Sequence, residues 1–217
     1  MVGSSLYAAF LDLEGRPVLL VGGGAVAARK AHMLLESGAD VTVISPEVNN
    51  AMGELERTGA ISRKERPYRS GDLAGNWLVI AATDDKELNQ KVFRDAEEAE
   101  IFCNVVDCPS LCSFQVPATV QRGHLQLAIS TRGSSPLLAR KLREQLEDTY
   151  GPEYAPFLQG LRELRDAVQE TYPLDEDVRR AALQKFMNSD VPALILDKKD
   201  RDAFKKGLKE WMKENLG

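Results

Sequence analysis

The chain has 217 residues, of which 43% are hydrophobic and 28% are charged, a composition that excludes disordered and fibrous proteins. Its 28 Lys and Arg against 33 Asp and Glu give a net charge of −5, which argues against a surface that coats nucleic acid or an anionic membrane. No apolar run approaches the roughly 20 residues that cross a bilayer, and no signal peptide is recognisable. We therefore expect a soluble, cytoplasmic protein.

Strands and helices alternate from residue 17 to about residue 106. Short apolar runs such as 17–21 are typical of strands buried on both faces of a parallel sheet. Alternation of this kind predicts an α/β fold, a Rossmann-type doubly wound parallel sheet. The predicted strands are 17–21, 41–44, a weaker one from Ile61, 77–82 and 101–106, and the predicted helices are 25–36, 50–58 and 86–98.

The pattern changes after Asp107. Residues 113–120 and 125–130 are strand candidates joined by a turn, and a helix follows from Pro136. Beyond residue 150 the apolar spacing is helical, apart from a brief strand-like run at 193–196. We predict three parts: a nucleotide-binding domain (1–112), a strand-pair dimerisation region with one helix (113–148) and a helical C-terminal domain (149–217).

A glycine-rich turn follows the first predicted strand and opens the first helix. It fits the pattern G-x-G-x-x-A, in which Gly22 permits the tight turn and Gly24 lets the backbone approach a pyrophosphate. Ala27 allows the helix to pack closely on the sheet. The amides of Ala25 and Val26 then lie at a helix N-terminus, which favours phosphate. The turn predicts dinucleotide binding.

The end of the second strand predicts which dinucleotide is bound. Glu47, after Ser45 and Pro46, lies near the position where an acidic residue binds the ribose hydroxyls. No arginine follows the strand to receive a 2′-phosphate, and the next one, Arg57, is well downstream. The sequence therefore favours NAD over NADP.

Polar residues end the next two strands. Thr83 and Asp84 follow one, and Asn104 and Asp107 follow the other, at the strand ends where α/β sheets bind ligands. Thr83 and Asp84 are equally suited to capping the following helix. Asp107 lies at the boundary between the predicted sheet and the region that follows it, and a carboxylate there is a candidate general base.

Four motifs occur in the order seen in precorrin-2 dehydrogenases, the family that includes the N-terminal module of sirohaem synthases, and the chain resembles that family over residues 7 to about 150. The motifs are Val21-Gly22-Gly23-Gly24 with Ala28-Arg29-Lys30, Ala81-Ala82-Thr83-Asp84-Asp85, Phe102-Cys103-Asn104-Val105-Val106-Asp107 and Gly133-Ser134-Ser135-Pro136-Leu137-Leu138-Ala139-Arg140.

The resemblance implies an NAD-dependent oxidation of precorrin-2 to sirohydrochlorin. In some members of the family ferrous iron is then inserted, and the sequence leaves open whether this chain chelates and whether cobalt replaces iron. The family's catalytic aspartate falls on Asp107. The resemblance also implies a homodimer, joined through the strand pair and the helix after it.

Precorrin-2 carries eight carboxylates, so its site requires cations and N–H donors. Arg132 and Arg140 flank Ser134 and Ser135, and the helix that begins at Pro136 offers its N-terminus to an anion. We expect these four residues to contact the substrate. The alternative is a capped helix with solvated basic neighbours.

Two further interpretations remain open. A ligand-sensing NAD-binding module would have the glycine turn without the catalytic carboxylate, and a ferrochelatase could retain the nucleotide domain as a scaffold. We predict no resident metal, because Cys103, Cys108 and Cys112 follow no standard zinc spacing.

Overall fold

Five parallel strands build the sheet of the N-terminal half. They are β1 (Pro17–Val21), β2 (Asp40–Ile44), β3 (Ser62–Lys64), β4 (Leu78–Ala81) and β5 (Phe102–Val105). The computed structural model describes residues 6–216 and gives the order β3-β2-β1-β4-β5. Val21 is paired with Ile44 and with Ala81, so the strands end together at one edge, where doubly wound sheets bind ligands.

Helices cover both faces of this sheet. They are α1 (Ala25–Glu36), α2 (Asn50–Arg57) and α3 (Lys86–Glu98). Because side chains alternate along a strand, Val18 and Leu20 pack with α1 and α2 while Leu19 and Val21 pack with α3. This arrangement confirms the predicted Rossmann-type sheet. Ala27 is fully buried in the α1 face, as its place in the glycine pattern predicts.

An antiparallel strand pair begins the C-terminal half, as predicted. Strands β6 (Ala118–Arg122) and β7 (Leu125–Ile129) are joined by a turn whose first residue, Gly123, has a φ of +58°. The first strand starts five residues later than predicted. Ser113 instead binds the backbone of Cys103, donating its N–H to the carbonyl (2.8 Å) and accepting the Cys103 N–H on its hydroxyl (2.7 Å).

Five helices complete the chain, and one of them corrects the sequence analysis. They are α4 (Pro136–Thr149), α5 (Tyr154–Thr171), α6 (Glu176–Met187), α7 (Val191–Leu196) and α8 (Arg201–Leu216). Residues 193–196 lie in α7 and form no strand. Pro192 occupies the first turn of that helix, where its missing N–H costs nothing, and Ile195 is buried among α5, α6 and α8 side chains.

The chain divides into two compact units, with the boundary between Val116 and Pro117. The strand pair and the five helices lie in the second unit, in which α4 packs on both strands and α5 contacts β7. The division into three parts, 1–112, 113–148 and 149–217, stays a prediction. None of the helices within residues 6–216 is long and apolar enough to cross a membrane.

Candidate functional site

The glycine turn after β1 has one crowded and one open position. Gly22 has a φ of +123°, and a Cβ there would collide with the backbone carbonyl of Ala82. A Cβ on Gly24 would have no neighbour within 4 Å. Gly22 is therefore required by the turn itself, whereas Gly24 keeps the space in front of α1 open for a ligand.

The N-terminus of α1 offers unoccupied donors to that space. Gly24 is the N-cap residue in extended conformation, no side chain caps the helix, and no acidic residue occupies its first turn. The first intrahelical bond runs from Ala28 N–H to the Gly24 carbonyl (3.0 Å). The amides of Ala25 and Val26 therefore have no intrahelical acceptor, and the positive end of the helix dipole suits a pyrophosphate.

The loop after β2 rests on the glycine turn. Ser45 is buried, and its hydroxyl donates to the carbonyl of Glu47 (2.6 Å), so it shapes the loop. A Cβ on Gly23 would collide with that same carbonyl and would come within 2.8 Å of the Ser45 hydroxyl. Glu47 and Pro46 are exposed at the crevice. Sequence reasoning assigned no role to Gly23, the middle one of three successive glycines.

An arginine from β3 contacts this loop from below, although none directly follows β2 in the sequence. Arg63 belongs to β3, and pairing of β3 with β2 brings it beneath Ser45 and Pro46, whose carbonyls accept its hydrogen bonds. No local pattern around β2 predicts this contact, because the two residues are 18 positions apart. Arg57 lies on α2 and pairs with Glu54.

The residues that follow β4 are tied into the start of α3. The Thr83 hydroxyl donates to Asn89 Oδ1 (2.7 Å), and Asn89 Nδ2 donates to the Thr83 carbonyl (2.9 Å). The N-cap of α3 is Asp85, whose carboxylate accepts from the amides of Glu87 and Leu88, so Thr83 and Asp84 are not the caps. Asp84 is exposed at the edge of the sheet where the glycine turn lies.

Asp107 lies two residues after β5 in a left-handed conformation. Its φ is +59°, a region that non-glycine residues avoid but Asp and Asn tolerate. Val106 N–H donates to the Ala81 carbonyl (3.0 Å), which ties this turn to the end of β4. The side chain is exposed. An ionisable group is thus held at the ligand-binding edge of the sheet by an unusual backbone.

Lys30 of α1 lies within electrostatic reach of Asp107. Burial lowers the pKa of Lys30, and Arg29 lowers it further, while the charges of Asp107 and Cys112 oppose this shift. Val106 packs against the hydrophobic cluster that includes Ala27, which is three residues before Lys30 in α1. Helix α1 therefore lies against the segment that carries Asp107. A partly buried cation therefore accompanies the candidate catalytic carboxylate.

Replacing Lys30 by Met should raise the melting temperature at pH 7. A lysine pKa below its ordinary value of 10.5 means that the unfolded chain binds the proton more tightly than the folded one. Stability of the natural protein therefore rises with pH between the folded pKa and 10.5, and the advantage of the variant should shrink over that window. Thermal unfolding at pH 7 and pH 10 tests this, with the exposed Lys209→Met as control; an equal gain at both pH values would contradict it.

Asn104 closes the loop that follows β5. The side chain is 9% exposed, and its Nδ2 donates to the Phe114 carbonyl (3.0 Å) and contacts Cys112 Sγ (3.6 Å). Its predicted contact with the cofactor stays a prediction. Burial raises the pKa of Cys103 to about 12, so this thiol is protonated as core cysteines usually are. Within the described part of the chain, no group of three His, Cys, Asp or Glu side chains is arranged to hold a metal ion.

The loop before α4 is built on two left-handed residues, Arg132 and Gly133. The Thr131 hydroxyl accepts the Ser135 N–H (3.2 Å) and donates to its carbonyl (3.1 Å). Ser135 also caps α4 by accepting the Leu138 N–H (3.1 Å), as the capping alternative predicted. Ser134 is exposed.

Arg140 lies one turn into α4. It is exposed, and its Nε pairs with Glu144 at 2.9 Å. A surface pair of this kind stabilises a helix little. Replacing Glu144 by another carboxylate as the partner of Arg140 would therefore cost little free energy. The predicted substrate residues Arg132, Ser134, Ser135 and Arg140 thus share one loop and the first turns of one helix.

Family comparison identifies the first unit. Residues 9–118, half of the chain, match the model of a family described as NAD(P)-binding. The chain belongs to this NAD(P)-binding family. Residues 122–149 match a second model, described as "Sirohaem biosynthesis protein central", and cover the end of β6, all of β7 and α4. The two matches follow each other in the order that the resemblance to precorrin-2 dehydrogenases predicts.

Two individual relatives of this chain are described as siroheme synthases. It is 48% identical over 138 residues to "Siroheme synthase 3" of Aeromonas hydrophila, covering 64% of this chain and 30% of that protein. It is 41% identical over 195 residues to "Siroheme synthase" of Azotobacter vinelandii, covering 89% and 42%. The chain thus spans less than half the length of these curated relatives.

A solved structure matches nearly the whole chain. It is described as "SirC, precorrin-2 dehydrogenase", with a TM-score of 0.75 and 29% identity, and the match covers 94% of this chain and all of that one. The resemblance to the precorrin-2 dehydrogenase and sirohaem synthase family is therefore confirmed, and with it the fold of sheet, strand pair and helices.

Proposed function

We propose that the chain catalyses the NAD-dependent oxidation of precorrin-2 to sirohydrochlorin. The observation that carries the proposal is the exposed carboxylate of Asp107, held in a left-handed turn that is bonded to the end of β4. Ala82, the next residue after β4, touches Gly22 of the nucleotide turn. The candidate base and the glycine turn thus follow neighbouring strands.

The residues present fit the cofactor. Gly24 leaves space before the uncapped α1, whose Ala25 and Val26 amides can bind the pyrophosphate, and the exposed Glu47 can bind the ribose hydroxyls. NAD, when bound, supplies a two-electron acceptor. Precorrin-2 and NAD⁺ give sirohydrochlorin, NADH and one proton, so the reaction balances without another oxidant.

Asp107 takes up the proton that the tetrapyrrole ring releases. One carboxylate oxygen accepts it, and because the side chain is exposed, the proton can pass on to solvent. The side chain of Lys30 lies within electrostatic reach of this carboxylate, and a general base accepts a proton within hydrogen-bond reach.

The substrate's carboxylates bind at the loop before α4. Arg132 and Arg140 supply positive charge, Ser134 supplies a hydroxyl, and Ser135 holds the helix N-terminus in place. Ferrous or cobaltous ion is a further substrate if the chain also chelates. We place the reaction in the cytoplasm.

Two alanine variants separate substrate contact from capping. Ser135→Ala should lower the free energy of unfolding by about 1 kcal/mol, because α4 loses its N-cap. Ser134→Ala should leave stability unchanged and raise KM for precorrin-2 about fivefold, the effect of one lost hydrogen bond. Urea unfolding and steady-state kinetics measure both. Equal KM values for Ser134→Ala and the natural protein would remove Ser134 from the substrate site.

The proposal includes a homodimer joined through the second unit. Helix α4 packs on the two-stranded ribbon, yet Leu125, Leu127 and Ile129 of β7 are only half-buried. Leu137 of α4 is 77% exposed. A second copy would cover these apolar side chains, and sedimentation of the purified protein tests this.

Visible spectroscopy of precorrin-2 mixed with the protein and NAD tests the function. Formation of sirohydrochlorin together with an equal amount of NADH is the expected result. Binding of NAD without oxidation would favour the ligand-sensing module instead. Ferrous or cobaltous ion, added afterwards, tests chelation by the loss of the sirohydrochlorin spectrum.

A further inference from the structure

Arg63 is a largely enclosed charged side chain next to the loop that follows β2. It lies on β3 opposite Val43 of β2, and its side chain is 9% exposed. Its Nε donates to the Ser45 carbonyl at 3.2 Å and its Nη2 to the Pro46 carbonyl at 2.6 Å. One guanidinium therefore fastens two successive carbonyls of the loop after β2, which a lysine could not do in the same planar geometry.

The remaining side of this guanidinium faces carboxylates. Nη1 donates to Glu56 at 3.2 Å, and Nη2 lies 3.7 Å from Glu65. Each of the three nitrogens thus has an acceptor within the protein. The guanidinium of Arg63 is paired with two glutamates and bonded to the loop that carries the predicted ribose-binding residue.

The fastened loop in turn contacts the nucleotide turn. The Ser45 hydroxyl donates to the Glu47 carbonyl, whose oxygen would be only 2.1 Å from a Cβ on Gly23. From the other side, Asn49 N–H donates to the Gly23 carbonyl (2.9 Å). A continuous set of contacts therefore leads from Arg63 through the loop to the turn that faces the pyrophosphate.

We propose that Arg63 is a positioning and specificity-determining residue for the cofactor. It holds Ser45, Pro46 and Glu47 in the shape that binds the ribose, and it presents no free cation to a 2′-phosphate, which would instead meet the Glu47 carboxylate. The inference rests on the proposed use of this crevice by NAD. It explains a preference for NAD in a chain that does carry an arginine at this edge of the sheet.

Arg63→Met should weaken NAD binding about tenfold or more, the usual scale for losing a charged hydrogen-bonding group. Calorimetric titration of the full chain with NAD and with NADP measures this without any enzymatic assay. Hydrogen exchange of the amides of Ser45, Glu47 and Val48 in the NAD-free protein should become faster, because the loop carbonyls lose their donor. Arg63→Lys should restore little of either property.

A neighbouring arginine provides the matched control. Arg66 pairs with Asp72 at 2.5 Å and is also partly buried, but its side chain bonds to Pro67 and Asp72 rather than to the loop at residues 45–47. Arg66→Met should therefore retain natural NAD affinity and loop exchange. A folded Arg63→Met protein with the same two properties would overturn the proposal.

Glu56→Gln tests specificity without disturbing the loop. It leaves the bonds from Arg63 to Ser45 and Pro46 and removes one neutralising charge, so NADP affinity should rise severalfold with NAD affinity unchanged. No change in NADP affinity would contradict the specificity role. If the natural protein bound neither dinucleotide, the proposed function would fail, while loop exchange in Arg63→Met would still decide whether Arg63 positions the loop.

Discussion

Asp107→Asn should slow precorrin-2 oxidation by about 10²-fold or more, the scale of a lost general base. Asparagine keeps the left-handed backbone at φ +59° because it tolerates this region as well as aspartate does. Stability and NAD affinity should therefore remain natural while the proton acceptor is lost. Single-turnover oxidation, thermal unfolding and NAD titration measure the three properties separately.

Two companion variants make this result interpretable. Glu100 also has a positive φ (56°) and is exposed, but it precedes β5 at the opposite edge of the sheet, so Glu100→Gln should oxidise precorrin-2 at the natural rate. Asp107→Ala loses both the carboxylate and the tolerance of this backbone, and should lose stability as well. Natural turnover in Asp107→Asn would reduce Asp107 to a turn residue.

Metal insertion separates the two reactions that one carboxylate could serve. If Asp107→Asn still converts supplied sirohydrochlorin and ferrous ion to product, the role of Asp107 is confined to the oxidation step. If both activities fall together, the same carboxylate also receives the pyrrole N–H protons that a metal displaces. Either result requires that the natural protein chelates in the same assay.

Local sequence signals predicted most of the fold. The helices α1 and α3 have the predicted bounds, 25–36 and 86–98, because each is delimited by local chemistry. Gly38 (φ +75°) follows the end of α1, and Asp85 caps α3. Buried parallel strands such as β1 can be recognised in the sequence as short apolar runs.

Contacts between distant segments were not predictable in the same way. Arg63 reaches Ser45 only because β3 pairs with β2, and Ser113 leaves the predicted strand because it binds Cys103 across ten residues. The apolar run at 193–196 fits either a strand or a buried helix by its pattern. In the structure this run is helical, and its Ile195 is buried among side chains of the other helices.

Gly24→Val should abolish measurable NAD binding and leave the fold intact. At Gly24 the backbone is extended, with a φ of −80° and a ψ of −173°, which valine adopts without strain. Its Cβ meets no protein atom within 4 Å, so the branched side chain fills only the space that the pyrophosphate would occupy. A loss of about 10²-fold or more in affinity corresponds to about 3 kcal/mol.

Gly22→Val is the contrasting variant and should unfold the first unit instead. Valine does not adopt the Gly22 φ of +123°, and the new Cβ would collide with the carbonyl of Ala82, the residue after β4. Circular dichroism and thermal unfolding should therefore distinguish the two variants before any titration. If Gly24→Val proved folded and bound NAD with natural affinity, the pyrophosphate could not lie against the N-terminus of α1, and the crevice beside Asp107 would need another ligand.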